Sequence, residues 1–420
     1  MKKVLLIAYH YPPVGVSSGV HRTLKFSQYL REYGWEPIIL TVHPRAYERV
    51  SDNQLKDIPS DLVVKRAFGL DTARHLAIGG RFWGRLALPD RWVSWWLGAV
   101  LSGKSMILKY KPDAIWSTYP IATAHLIGRT LHRSSSIPWV ADFRDSMTDD
   151  HYPTDETKWN LYRRIERSVV HTATKVVFTT PGTQKMYFER YPDVPADRWS
   201  TIENGFDEES FSATEDYASL QHASLQKEAP GRVTLVHSGL LYPSERDPTQ
   251  FFRALSELKT EGIIDNTRLS IVLRASGHEN IFQPMLGRYA IDDLVQLASP
   301  LPYSDALNEM VSADGLLLFQ ASNCNHQIPA KIYEYFRAKR PIFALTDPRG
   351  ETARVMMDSG LDTLVPLDSS SEIKAGLIDF LQRLKNDTAP LATEEVIRSH
   401  SRRARTEQLA QLLDTVVGKC

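Results

Sequence analysis

Short hydrophobic runs alternate with amphipathic segments along the first half of the chain. Apolar residues at helical spacing over residues 20–33, ending at Gly34, predict a helix between the first two runs. The runs that predict buried strands cover residues 4–8, 37–42, 114–117, 139–142 and 175–179. Strands that alternate with helices are typical of parallel sheets, so this half predicts a doubly wound α/β domain.

The same alternation begins again after a polar segment, residues 207–231, which has the composition of an interdomain connector. The second series of predicted strands covers residues 233–237, 269–273, 315–319, 341–345 and 363–366, with a helix near 248–259. We therefore expect an α/β protein with two Rossmann-like, doubly wound domains that face a cleft, where ligands usually bind. The expected domains are residues 1–212 and 213–395, with a C-terminal helix at 396–420 that packs back on the first.

The composition of the chain disfavours several classes of protein, among them nucleic-acid-binding and membrane-spanning proteins. The 420 residues include 50 Lys and Arg against 50 Asp and Glu, so no overall positive field indicates nucleic acid. The two cysteines, Cys324 and Cys420, form neither a disulfide framework nor a metal cluster, which fits a reducing cytosol. The opening apolar run of five residues predicts a buried strand rather than a signal peptide. No segment approaches the roughly 20 apolar residues that span a bilayer. We expect a cytoplasmic protein.

The stretch PAKIYEYFRAKRPIFAL contains a helix that Pro329 opens, with Lys331 and Glu334 on one face and an apolar stripe on another. Predicted strands at 315–319 and 341–345 flank it, which makes one βαβ unit. Ligands bind beyond the carboxyl ends of such strands, and a helix start that carries a lysine favours an anion. The alternative is that Lys331 and Glu334 only form the solvated face of the helix.

The stretch HSGLLYPSERDP follows another predicted strand. Gly239 permits a tight turn there, and Arg246 precedes the next helix. A guanidinium at this place could bind a diphosphate through two parallel hydrogen bonds. Alternatively, Arg246 is a surface residue paired with Glu245 or Asp247.

The stretch VADFRDS places Asp142, Arg144 and Asp145 at the end of a predicted strand. Clustered charges at this position suggest hydroxyl binding or proton transfer. The alternative is a turn whose charges neutralise one another.

A glycine-containing loop, residues 15–19, precedes Arg22 between the first predicted strand and its helix. It contains no G-x-G-x-x-G motif, which disfavours a dinucleotide site. By itself this loop is a weak signal for a functional site.

These stretches, in this order, resemble the GT-B glycosyltransferases, in particular the large family four of nucleotide-sugar-dependent enzymes. The resemblance covers nearly the whole chain and includes TIENGFDEESF, which is similar to the family's Ile-Pro-Asn-Gly-Val-Asp turn between domains. It implies transfer of a sugar from a nucleoside diphosphate sugar to a hydroxyl acceptor, with retention and without a cofactor. Many relatives act in polysaccharide or glycoconjugate biosynthesis, on sugar or lipid-linked acceptors.

The resemblance also implies roles for single residues. Arg246 corresponds to the family's basic residue on the donor diphosphate, Lys331 lies near that diphosphate, and Glu334 corresponds to the acid that holds the nucleotide ribose. Two positions depart from the family pattern: His326 replaces its first acid, and Leu240 replaces an arginine of the diphosphate loop. These departures leave the recognition of the donor sugar open.

The expected site has three parts. The expected catalytic residues are Arg246, Lys331 and Asp142. The expected donor-binding residues are Gly239, His326, Ile328, Pro329, Ala330, Glu334 and Arg274. The expected acceptor or phosphate loop includes Gly19, Arg22 and Arg144. No metal is expected, because the sequence has no Asp-x-Asp motif and two basic groups with a helix dipole can offset the diphosphate charge.

Two other functions remain open. A nucleotide-sugar 2-epimerase shares the GT-B architecture, but it needs carboxylates for proton transfer, and none stands at a clear spacing. A catalytically silent GT-B protein that serves for binding or as a scaffold is favoured by His326 in place of the first acid.

Residues 72–112 suggest peripheral contact with an anionic membrane at its inner face. They contain seven Lys or Arg, the single acid Asp90, and the tryptophans Trp83, Trp92, Trp95 and Trp96. We expect Asp90 to cap a helix, since its carboxylate could accept from the first free N–H groups. The face that we expect to contact lipid comprises Trp92, Trp95, Trp96, Ala99 and Val100. The alternative is that the tryptophans pack this helix onto the first domain.

Overall fold

The computed structural model describes residues 1–15, 19–77, 79, 81–150, 152–213 and 231–418. The chain divides into two compact units, residues 1–204 with 402–420 and residues 205–401. The division at residue 204 falls within the segment that we assigned to the first domain. Most of the predicted connector lies outside the described residues.

The first unit is built on a seven-stranded sheet in the order β3-β2-β1-β4-β5-β6-β7, with every neighbouring pair parallel. Its strands are β1 (Lys2–Ile7), β2 (Trp35–Val42), β3 (Val63–Ala67), β4 (Ala114–Thr118), β5 (Trp139–Phe143), β6 (Lys175–Phe178) and β7 (Trp199–Thr201). Its helices include α1 (Gly19–Tyr29), α2 (Thr72–His75), α3 (Trp95–Tyr110), α4 (Ala122–Ser135), α5 (Glu156–Thr172) and α6 (Pro181–Arg190). The strand order reverses between β1 and β4, which is the topological switch point of a doubly wound sheet.

The second unit repeats this design with a six-stranded parallel sheet in the order β10-β9-β8-β11-β12-β13. Its strands are β8 (Val233–Ser238), β9 (Leu269–Arg274), β10 (Val295–Ala298), β11 (Gly315–Gln320), β12 (Ile342–Thr346) and β13 (Leu364–Val365). Its helices include α7 (Thr249–Thr260), α8 (Glu279–Arg288), α9 (Tyr303–Ser312), α10 (Lys331–Ala338), α11 (Glu351–Asp358), α12 (Ser370–Lys385) and α13 (Glu394–Ser399). The switch point lies between β8 and β11.

The central strands are apolar on both faces because helices cover both sides of each sheet. In β1, Val4–Ile7 is fully buried, and in β11, Leu316 and Leu317 belong to separate clusters on opposite faces. The last helix, α14 (Arg402–Val417), adds Leu409 and Leu413 to the core of the first unit. The predicted class of two doubly wound α/β units is confirmed.

The helix predicted after Asp90 begins later than expected, at Trp95, and the side chain of Trp95 points into the core. The carboxylate of Asp90 is buried and accepts from the backbone N–H groups of Trp92 and Thr123, so the expectation that it caps α3 is wrong. Trp95 is fully buried, and the ring of Trp92 packs 4.6 Å from that of Tyr9. Large aromatic rings gain most where they are removed from water, which explains this orientation.

The predicted membrane-facing residues are thereby corrected, because Ala99 and Val100 are also buried and only Trp96 among the five is exposed. Within the described residues, no helix is both long and apolar enough to cross a membrane.

Candidate active site

The turn after β8 brings a glycine against a lysine from another element. Gly239 has a φ of 108°, a backbone conformation that favours glycine. A Cβ at this position would lie 3.2 Å from the Nζ of Lys331. Gly239 therefore supplies both the turn and the space for the ammonium group.

Lys331 is the first residue of α10, and its Nζ lies 2.9 Å from the Nε2 of His237 in β8. Burial lowers the pKa of Lys331 well below its usual range, and the charge of Arg246 lowers it further, while Glu334 acts in the opposite direction. Lys331 is thus held against the sheet, rather than lying on a fully solvated helix face. A bound anion would stabilise its charged form.

Arg246 lies in the loop between β8 and α7, where part of its side chain is exposed. Its Nη1 donates to the carbonyl of Leu240 at 2.9 Å, and its guanidinium lies 5.4 Å from the centre of the Tyr242 ring. Among the described residues, no carboxylate forms an ion pair with Arg246, and Asp247 instead accepts from Thr249. The surface pair that we considered as an alternative is therefore not formed.

Glu334 follows Lys331 by one helical turn, and its Oε1 accepts from the hydroxyl of Tyr303 at 2.8 Å. The next residue, Tyr335, accepts from the backbone N–H of Ser238 at 3.0 Å. This contact fastens α10 to the end of β8. It explains why the start of the helix lies beside the turn that contains Gly239.

The loop before α10 carries four of the predicted donor-binding residues. Ile328 and Pro329 are buried and Ala330 is exposed. His326 is partly buried, with its Nε2 3.4 Å from the Nε2 of Gln327. The helix begins at Lys331 rather than at Pro329, so this loop leads directly into the site.

Arg274 ends β9 and is aligned with Ser238 of β8. It donates to Glu309 at 3.0 and 2.6 Å and to the carbonyl of Ser299 at 2.7 Å. Most of its guanidinium donors are therefore occupied within the protein, in contrast to those of Arg246.

Two predicted residues of the first unit form a buried ion pair. The Nε and Nη2 of Arg22 donate to Asp142 at 3.1 and 2.8 Å, and their side chains are 3% and 0% exposed. Thr118 donates to the same carboxylate at 2.8 Å, and Arg22 also donates to the carbonyls of Ile202 and Glu203. This geometry favours a positioning role for Asp142 over the catalytic role that we predicted.

Arg144 follows β5, and its Nη1 donates to the carbonyl of Gly19 at the start of α1 at 3.0 Å. Burial and then the charge of Arg144 lower the pKa of His10 to about 3, so this imidazole is neutral. We did not single out His10 from the sequence, although a polar residue just after a buried strand of a parallel sheet is a signal for a site. Part of the predicted loop at 15–19 lies outside the described residues.

In the part of the chain that the structure describes, no three His, Cys, Asp or Glu residues lie together in a way that could hold a metal ion. A metal-independent reaction stays a prediction.

Residues 19–205 match the sequence profile of the glycosyl transferase 4-like domain. The matched segment runs from α1 through β7 and includes Arg22, Asp142 and Arg144. A search of curated proteins finds no relative that matches the sequence.

Solved structures resemble the chain over its full length. Sucrose-phosphate synthase from Thermosynechococcus elongatus has a TM-score of 0.69 at 14% identity, with 100% of both chains covered. A glycosyltransferase from Rickettsia africae has a TM-score of 0.68 at 14% identity, with 100% of this chain and 99% of that chain covered. UDP-GlcNAc 2-epimerase from Methanocaldococcus jannaschii has a TM-score of 0.58 at 11% identity, with 98% and 99% covered. At these identities the likeness concerns the fold.

Fold and sequence together define a protein of the GT-B class with two Rossmann-like units. Residues 19–205 match the glycosyl transferase 4-like domain, which agrees with the glycosyltransferase class that the sequence predicted. The 2-epimerase alternative shares the fold, but the matched domain is that of the transferases.

Proposed function

We propose that the protein transfers a sugar from a nucleoside diphosphate sugar to a hydroxyl acceptor, with retention of the anomeric configuration. The observation that carries this proposal is a pair of basic side chains, Lys331 and Arg246, at the carboxyl edge of the second sheet. Arg246 donates to the carbonyl of Leu240, and the neighbouring Gly239 lies against the Nζ of Lys331. The charge of Arg246 accordingly lowers the pKa of Lys331. Within the described residues, neither forms an ion pair with a carboxylate. Two such groups favour a diphosphate.

The chemistry requires positive charge at this edge. As the bond between the anomeric carbon and the diphosphate oxygen breaks, negative charge grows on the diphosphate. Arg246 and Lys331 would stabilise that charge, together with the N-terminus of α10. The acceptor oxygen forms the new bond to the anomeric carbon, and its proton passes to the departing diphosphate. No cofactor and no metal take part in this proposal.

Glu334 would hold the ribose of the donor. Its carboxylate lies one turn from Lys331, and Tyr303 already orients it. Carboxylate oxygens accept hydrogen bonds from vicinal hydroxyls, and a bond to a charged group contributes about 1.5–3 kcal/mol. By the family resemblance, His326 would contact the donor sugar, with an imidazole in place of a carboxylate.

A thermal-shift screen against UDP, GDP, ADP, dTDP and their sugars tests the donor site. A ligand at a hundred times its dissociation constant stabilises the folded protein by about 2.7 kcal/mol. We expect one nucleotide to raise the melting temperature of the wild type and of Lys339→Ala, and to raise that of Lys331→Ala much less. Lys339 is a suitable control because it ends the same helix and pairs with Glu394. Failure of every nucleotide to bind the wild type would contradict the proposal.

We further propose that the protein acts at an anionic membrane surface, on a lipid-linked acceptor of polysaccharide or glycoconjugate biosynthesis. The support is the outward face of α3, where Leu97, Leu101 and Leu108 are 61%, 65% and 79% exposed, with the exposed Lys104 between them. The segment leading into α3 also exposes Trp83, at 81%.

Charge favours the same partner. Arg81 and Arg85 flank Trp83 and are exposed, as are Lys104 and Lys109 on α3. Asp90, the single acid among residues 72–112, is buried and offsets none of this surface charge. Each basic residue near an anionic surface contributes about 1 kcal/mol of attraction, and leucines that enter the lipid add apolar burial.

Flotation with phosphatidylglycerol liposomes tests this surface. We expect binding at low salt that weakens at high salt and is absent with phosphatidylcholine alone. Changing Arg81, Arg85, Lys104 and Lys109 to Glu, or Leu97, Leu101 and Leu108 to Ser, should abolish it. Arg91 is left unchanged because it pairs with the buried Asp71. Leu391→Ser, an exposed leucine of the second unit, is the control. Wild-type protein that stays unbound at low salt would contradict the proposal.

A further inference from the structure

His237 is a fully buried histidine beside the proposed donor site. Its Nε2 lies 2.9 Å from the Nζ of Lys331, and its Nδ1 lies 2.9 Å from the carbonyl oxygen of Leu317 in β11. The ring of Phe319 packs against the imidazole edge to face, with centroids 5.1 Å apart and an interplanar angle of 84°. The imidazole is therefore fixed on three sides.

The two contacts determine which nitrogen carries the proton. A carbonyl oxygen can only accept, so Nδ1 donates to Leu317. An ammonium group can only donate, so Nε2 accepts from Lys331. Both contacts are satisfied at once by the neutral imidazole with its proton on Nδ1. Burial, and then the charge of Lys331, lowers the pKa of His237 well below its usual range, in agreement with this state.

We propose that His237 is a positioning residue, whose Nε2 holds the Lys331 ammonium at the start of α10 so that its other two N–H groups can face the donor diphosphate. This inference rests on the proposed function. It adds a residue of strand β8 to the donor-site residues of helix α10. Lysine has a flexible four-carbon stem, so an acceptor at its tip is what defines the position of its charge. Gly239 leaves the space that this arrangement needs.

The contact between His237 and Lys331 also affects the pKa of Lys331. Arg246 and Glu334 are the charged groups that act on this ammonium, the first lowering its pKa and the second raising it. A neutral acceptor stabilises the charged form of the amine. Removing it lowers the pKa of Lys331, so that the charge is lost at a lower pH than in the wild type.

Two substitutions of similar size separate the two contacts. His237→Asn retains a donor near the position of Nδ1 but provides no acceptor at the position of Nε2. His237→Gln can place an amide oxygen near the position of Nε2. Circular dichroism and thermal unfolding check that both variants fold.

Calorimetric titration with UDP and GDP at pH 7 is the first measurement. We expect His237→Asn to weaken the binding of the preferred nucleotide about tenfold, which is the effect of about 1.4 kcal/mol. His237→Gln should stay within about threefold of the wild type. In a Lys331→Ala background, His237→Asn should have no further effect, because the group that it positions is gone. Equal losses in both backgrounds would overturn the inference.

Competitive labelling of amines, resolved by peptide mass spectrometry, measures the pKa of Lys331 without a ligand. His237→Asn should lower the pH at which Lys331 is half-reactive by roughly one unit, and His237→Gln should do so less. Lys339, at the end of the same helix, should not change. An unshifted Lys331 would overturn the inference. If Lys331→Ala leaves nucleotide binding intact, the proposed function fails, whatever the labelling shows.

Discussion

The carboxyl edges of the two sheets carry similar charged residues but use them differently. In the first unit, Arg22 and Asp142 are buried and form an ion pair with each other. In the second unit, Lys331 and Arg246 lie near each other, and among the described residues neither has a carboxylate partner. Lys331 donates to a neutral imidazole, and Arg246 donates to a carbonyl.

The difference follows from the cost of burying charge. A buried pair is stable only when its remaining donors and acceptors are satisfied, as Thr118 and two backbone carbonyls do for Arg22 and Asp142. The charge of Arg246 lowers the pKa of Lys331, and a bound anion would offset that repulsion. The same edge of a parallel sheet thus holds a self-neutralised pair in one unit and, under the proposed function, a ligand site in the other.

The largest expected effect concerns the buried pair. Asp142→Asn leaves the charge of Arg22 buried without its partner, and we expect it to destabilise the first unit by about 3–5 kcal/mol. Urea unfolding followed by tryptophan fluorescence measures this, because all nine tryptophans lie within residues 1–204. Asp61→Asn, which removes an exposed partner of Arg31, is the control and should change little. A variant of normal stability that has lost turnover would restore the catalytic role for Asp142.

The next effect concerns the two cations. Arg246→Ala and Lys331→Ala should each reduce turnover at least about a hundredfold without lowering stability, because each removes a donor to the diphosphate in the transition state. Initial rates with the preferred nucleotide sugar measure it. Arg253→Ala and Lys339→Ala remove basic residues that pair with Glu257 and Glu394, and both should retain wild-type rates. If Arg246→Ala or Lys331→Ala kept wild-type turnover, that residue would have no role in catalysis.

A smaller effect distinguishes binding from catalysis within the second unit. Glu334→Ala should weaken donor binding by about 1.5–3 kcal/mol, the value of a hydrogen bond to a charged group, with a smaller change in kcat. Calorimetry with the nucleotide and steady-state kinetics give the two quantities separately. Glu257→Ala on α7 serves as the matched control. An unchanged affinity would remove Glu334 from the donor site.

No change at all is expected on chelation. Turnover should survive EDTA, because Arg246, Lys331 and the start of α10 can offset the diphosphate charge without a metal. The measurement is the initial rate before and after dialysis against EDTA, with magnesium or manganese added back. Activity that is lost and then restored by either metal would reveal a metal site and contradict this part of the proposal.

The apolar runs of the sequence were sufficient to predict the central strands of both sheets. The predicted runs at 4–8 and 315–319 lie in the central strands β1 and β11, whose residues are apolar on both faces. The strands that we did not predict are β3, β7 and β10, and each lies at the edge of its sheet. Edge strands are short and partly solvated, so their sequences lack a continuous apolar run.

Some parts of the candidate site could also be predicted from the sequence, and others could not. Lys331 and Glu334 share a helix face through their spacing alone, and the sequence therefore predicts them together. His237 lies 94 positions before Lys331, and Arg22 lies 120 positions before Asp142, so only tertiary packing makes these contacts. Packing also buried Trp95 of α3 and left the leucines of this helix exposed, because which apolar face is buried depends on the elements that each face contacts. Periodicity determines which residues share a face, and the rest of the fold decides where that face points.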